Sequence, residues 1–150
     1  MTEKRQDNPA KTFLRRYRAI LQRQKSLQRT LKNIRDSQTD IAAKLGAVRV
    51  QGGSPDDRQA NDIARICTLE ELIADAEKQA AAALRDILDA IDAVPDEKQK
   101  TVLTMRYVEG LPWPDIADRL HYEKTQVFLF HGLALKNINQ WLKVRSKTEY

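Results

Sequence analysis

Residues 94–142, VPDEKQKTVLTMRYVEGLPWPDIADRLHYEKTQVFLFHGLALKNINQWL, decide the fold. Two short apolar-periodic segments flank His121-Tyr122 near the middle. Ile116, Ala117 and Leu120 precede the break; Val127, Phe130, His131, Ala134, Leu135 and Ile138 follow it. A small residue at 117, a turn at 121 and a β-branched residue at 127 is helix-turn-helix spacing. Ala117 admits close helix approach, position 121 bends the chain sharply, and Val127 locks the second helix onto the first.

Working outward, Pro95 marks a boundary, because the residue before a proline is biased out of a helix. Asp96 is placed to cap a helix over 97–108 whose inner face carries Val102, Leu103 and either Arg106 or Tyr107. Gly110 stops that helix. A short helix over 113–120 has Pro114 in its first turn, and the last helix is expected over 124–143. The polar tail 144–150 is expected to fray.

Upstream, residues 1–8 show no apolar periodicity and read as disordered. From Phe13 the apolar positions run Phe13, Tyr17, Ile20, Gln24, Leu27, Leu31, Ile34, Gln38, Ile41, Leu45, in alternating steps of four and three. That is a heptad seam with two polar interruptions, widened by Leu14 and Leu21. Gly46 suits a C-cap. The stretch 47–57 (AVRVQGGSPDD) reads as a loop in which Ser54, Asp56 or Asp57 caps the next helix. That second long helix, about 57–94, carries Ile63, Ile66, Leu69, Ile73, Ala76, Ala80, Ala83 or Leu84, Ile87, Ile91 and Val94 on its stripe. Two such helices joined by a Gly-rich loop should fold back as an antiparallel hairpin over 1–94. A two-helix hairpin buries little alone, so it is expected to dimerise or to pack on the C-terminal module.

The composition is helical and rich in charge (31% charged), with no β-branched alternation long enough for a sheet. The net charge of +5 is unevenly spread. Residues 1–50 hold 13 Lys/Arg against 4 Asp/Glu, and residues 51–97 hold 4 against 12, so these blocks can neutralise each other. The remainder holds 9 against 5. The single cysteine, Cys67, excludes an internal disulfide, and there is no apolar N-terminal run. No segment approaches the ~20 apolar residues of a membrane span. A soluble cytosolic protein is the expectation.

No acid pair, zinc spacing or phosphate-binding loop points to an enzyme, a metal or a cofactor. His131, facing inward with Val127 and Ala134, reads as a buried structural histidine. Cys67 reads as a core residue of the second helix, and Trp113 as a core anchor.

Residues 103–138 resemble region 4 of bacterial primary sigma factors. The motifs Arg106-Tyr107-Val108-Glu109-Gly110, Trp113, Ile116-Ala117, Tyr122, Val127 and His131-Gly132-Leu133-Ala134-Leu135 resemble more closely the ArpU/RinA-type phage late-gene transcription regulators, as does the loop Val50-Gln51-Gly52-Gly53-Ser54. The resemblance implies a phage or prophage origin, binding to double-stranded DNA and contact with RNA polymerase. It departs from the pattern where His121 stands for the turn Gly, Glu123 for the capping Ser, and Leu129 and Leu133 for basic residues.

The expected architecture is all-α: a coiled-coil-like hairpin (1–94), a trihelical helix-turn-helix domain (95–143) and a tail (144–150). The DNA-reading candidates are Lys124, Thr125, Gln126, Phe128 and Leu129, with Arg119 and Lys136 for phosphates. Phe128, Leu129 and Leu133 equally suit an apolar docking patch for a partner protein. Arg15, Arg16 and Arg18 pair with the acidic helix, bind nucleic-acid phosphates, or meet an acidic partner. A homodimer is compatible with the heptads.

Overall fold

A computed structural model describes residues 8–45 and 55–148, with side chains for 8–41 and 57–148. All regular structure among the described residues is helical. α1 spans Pro9–Leu45, α2 Pro55–Asp92, α3 Glu97–Leu103, α4 Trp113–Leu120 and α5 Lys124–Thr148. α3 continues into one π-helical turn, Thr104–Val108. The expected loop 47–57 lies largely outside the described residues, as do Gly46, Ser54 and positions 1–7. Asp56 and Asp57 fall inside the first turn of α2 rather than before it.

The chain gathers into two compact units. One comprises residues up to Ala19 together with Ala80 onward; the other comprises Ile20–Gln79. The second unit is the smaller packing problem. Its buried apolar residues are Leu31, Ile34 and Ala76, and Arg35 pairs with Glu70 across the two helices. Both side chains of that pair are more than half exposed, so it aligns the helices and adds at most about 1 kcal/mol. The expected α2 stripe needs two corrections here. Ile63 is 52% exposed and Cys67 is exposed. Alternating steps of four and three, traced back from Ile73 through Leu69 and Ile66, reach Asp62, which is half-buried. Ile63 and Cys67 sit one turn apart on the neighbouring, outward face.

The first unit holds the larger core. Ala10 and Leu14 of α1 meet Ile87, Ala90, Ile91 and Val94 of α2, Leu103 and Tyr107 of α3 and its π turn, and Ala134, Leu135 and Ile138 of α5. The cap of α1 ties it to α5. Asn8 Oδ1 accepts from the Ala10 amide at 3.0 Å, and Asn139 reaches both: its Nδ2 donates to Asn8 Oδ1 at 3.0 Å and its Oδ1 accepts from the same amide. Asn8 is therefore structured, unlike the expectation for 1–8. Leu14, treated in the sequence as merely widening the seam, is fully buried.

α5 also runs beyond the expected end at 143, through 144–148. Its last turns have partners. Trp141 lies 5.9 Å from Phe13, the Arg145 guanidinium sits 5.0 Å over Trp141, and Arg145 pairs with Asp86 at 3.5 Å. These contacts hold as helix a stretch whose composition alone suggests fraying.

Truncation at the centre of this core should be costly. Leu14→Ala is expected to lower unfolding free energy by about 2–5 kcal/mol in a urea titration, the range for buried Leu→Ala. Val144→Ala, at an exposed site, is expected to stay within about 0.5 kcal/mol of the parent.

Candidate nucleic-acid interface

The turn between α4 and α5 fixes the site. His121 adopts the left-handed conformation (φ 57°, ψ 37°). The amide of Tyr122 donates to Ala117 O at 3.1 Å and that of His121 to Asp118 O at 3.3 Å. This pairing is a Schellman motif, which ends a helix on a residue of positive φ. Asn, Asp and His tolerate that region better than other non-glycine residues, so the departure from Gly leaves the turn intact. After it, Tyr122 packs edge-on against Phe130 at 5.3 Å. Val102, Ile116, Ala117 and Val127 form the small core beneath, as the helix-turn-helix spacing requires.

Asp96 caps α3 as expected, its Oδ1 accepting from the amides of Lys98 and Gln99 at 2.8 and 3.1 Å. Gln99 is buried and its Oε1 accepts from Asn137 Nδ2 at 2.7 Å, which pins α3 on α5. The π turn ends with the Glu109 amide on Thr104 O, and Gly110 then takes φ 75°. π turns insert one residue into a helix and re-aim the side chains after it. Here Arg106 turns back: its Nη1 donates to Leu111 O at 3.1 Å, and its guanidinium lies 4.5 Å over the Trp113 ring.

Trp113 in turn meets Phe128 edge-on at 5.2 Å and His131 at 4.7 Å. It is half-buried, so it anchors the core and borders the exposed face of α5. His131 is buried, as expected. Burial and the nearby Lys11, Arg106 and Arg15 cations lower its pKa to about 4, so it is neutral at pH 7. Burial also raises the Tyr107 pKa. The Tyr107 hydroxyl stays protonated and is hydrogen-bonded to His131 Nε2 at 2.7 Å. Composition and periodicity gave no sign of this aromatic network or of the π turn; the individual residues were visible only as motif positions.

α5 is sharply two-sided. Val127, His131, Ala134, Leu135 and Ile138 are buried. Lys124, Thr125, Gln126, Phe128, Leu129, Gly132, Leu133 and Lys136 are exposed. The base-reading candidates thus share the first turns of one helix, directly after the αL turn. Phe128 and Leu129 are 47% and 56% exposed. A Cβ added at Gly132 meets nothing within 4 Å, so this face is open. Lys136 lies three turns beyond Lys124. Arg119 is exposed on α4 and sits 3.9 Å from Glu109, an exposed pair that leaves it available. α5 contains no acidic residue. Arg15 and Arg16 are exposed and Arg18 is half-buried on α1.

With this geometry the comparison with known proteins is direct. Residues 84–143, from the end of α2 to most of α5, match the Sigma-70, region 4 family. No curated protein matches the chain. No solved structure matches it. The chain therefore carries a sigma region 4-like helix-turn-helix, a DNA-binding rather than catalytic kind of domain. No helix among the described residues is long and apolar enough to cross a membrane.

Two predictions concern the scaffold. Between pH 6.5 and 4 the unfolded chain protonates His131 while in the folded protein that imidazole stays neutral. Stability is then fully present above about pH 6.5 and is lost as pH falls toward 4, by on the order of 3 kcal/mol. The test compares urea unfolding at pH 7 and 4.5; His131→Gln should flatten the difference. Separately, His121→Gly is expected to raise unfolding free energy by about 0.5–1 kcal/mol. Relief of the αL penalty exceeds the entropy cost of glycine.

Proposed function

We propose that this chain is a phage- or prophage-type transcription regulator of the ArpU/RinA late-gene kind. The start of α5 enters the major groove while α4 braces it across the backbone. The observation that carries this reading is the exposed, acid-free first turn and a half of α5, presented rigidly by the αL turn at His121 and the buried Val127. Lys124 and Gln126 supply donors for base edges, Thr125 a hydroxyl, and Phe128 a surface for thymine methyls. Arg119 and Lys136 supply phosphate contacts. Contact with RNA polymerase fits the region 4 likeness. A second copy of the chain fits the unit formed by Ile20–Gln79, where few apolar residues are fully buried.

A second reading is supported by the exposed apolar side chains Phe128, Leu129 and Leu133 on this face. In it the same fold docks a partner protein.

Selection from random duplex DNA separates the two. An enriched motif, lost in Lys124→Ala plus Gln126→Ala, is expected. If the chain retains no DNA even at low salt, while Leu129→Lys abolishes co-purification of a protein, the second reading stands instead.

A further inference from the structure

α1 lies outside the residues that match sigma region 4, yet its first turns are built into the same compact unit. Leu14 and Ala10 turn one face of it into the core. The flanking face carries Lys11, Arg15 and Arg18, at steps of four and three, so the three cations form one stripe along the helix. Arg18 is placed tightly. Its guanidinium covers Gly110, so closely that an added Cβ there would lie 2.5 Å from Cζ. That position lies two residues past the end of the π turn and three before the start of α4.

The stripe has no paired counter-charge among the described residues. Among the described residues no carboxylate lies within 4 Å of Lys11, Arg15 or Arg18; the ion pairs there join other residues, Glu109 being taken by Arg119. The expected pairing of these arginines with the acidic α2 is therefore not realised; the pair that forms between α1 and α2 uses Arg35. Lys11 and Arg15 also act electrostatically on His131, which touches Trp113, and Trp113 touches Phe128 on the open face of α5. The cations thus flank the helix-turn-helix, linked to its open face through those rings.

Concentrated positive charge with no carboxylate partner among the described residues, held beside a groove-reading helix, fits a polyanion. We propose that the Lys11–Arg15–Arg18 stripe of α1 is a second contact to the sugar-phosphate backbone of the duplex that α5 reads. The stripe makes α1 a clamp on DNA flanking the recognised bases. This rests on the DNA-binding reading above. Arg16, exposed but rotated off the stripe, takes no part.

The test is the salt dependence of duplex binding by the full chain. Each phosphate contact adds roughly 0.9 to the slope of log K against log salt. Lys11→Gln with Arg15→Gln and Arg18→Gln is expected to lower that slope by about 2–3. It should weaken random and selected duplexes by similar factors and leave base preference unchanged. Arg16→Gln is expected to leave the slope as it is. Should the triple variant lose its helical circular dichroism, Arg15→Gln alone, at an exposed site, should still lower the slope by about 1. DNA binding with an unchanged slope in these variants overturns the clamp and leaves the DNA-binding reading standing. An unchanged slope with lost retention of RNA polymerase assigns the stripe to a protein and equally overturns the clamp. Absence of any duplex binding by the parent chain overturns both.

Discussion

Burial of Leu14 among Ile87, Ile91, Leu103, Tyr107 and Ile138 is the contact on which the first unit depends. Each fully buried aliphatic side chain contributes roughly 1.5–3 kcal/mol, and this cluster draws them from α1, α2, the α3–π segment and α5 at once. A trihelical module has two apolar sides. Val102, Ile116, Ala117 and Val127 satisfy the one between α3, α4 and α5. The other, with Ala134, Leu135 and Ile138, is closed by the start of α1 and the end of α2. The Asn8–Asn139 hydrogen bonds fix the register of that closure. The same contacts carry a basic stripe into place beside the helix-turn-helix, so packing and charge placement are two results of one interface.

Much of this was legible in the chain. The four-three alternation of α1, the Asp96 cap, the Ala117–His121–Val127 spacing and the inward His131 each follow from local rules that tertiary contacts left unchanged. What escaped had non-local causes. Ile63 and Cys67 look like core by type, but the seam passes through Asp62. The segment 144–148 reads as tail by composition, yet Trp141 and Arg145 find Phe13 and Asp86, residues far away in sequence. Leu14 sits off the regular seam, so nothing local marks it as fully buried. The π turn has no sequence signature, and only its consequence, Arg106 stacked over Trp113, shows why it matters.

The site candidates divide in the same way. Lys124, Thr125, Gln126, Phe128 and Leu129 sit together because helical geometry after a fixed turn places them so. Arg15, Arg16 and Arg18 of α1 could not be assigned from sequence, since a basic helix and an acidic helix in one chain invite pairing. The Arg35–Glu70 pair satisfies that expectation in one place, while the charges nearest the helix-turn-helix remain unmatched by carboxylates among the described residues. Phe128 is backed edge-on by Trp113, so whichever surface meets that ring meets a supported one.

The proposed duplex contact is the open face of α5 with the adjoining start of α1. Amide chemical-shift mapping by NMR during titration with a duplex, at low salt, tests it most directly. The largest perturbations are expected over 124–129 and at Arg119, with a second group over 11–18 and little change over 57–79. Perturbations confined to 57–79, or none at all at saturating duplex, would contradict it.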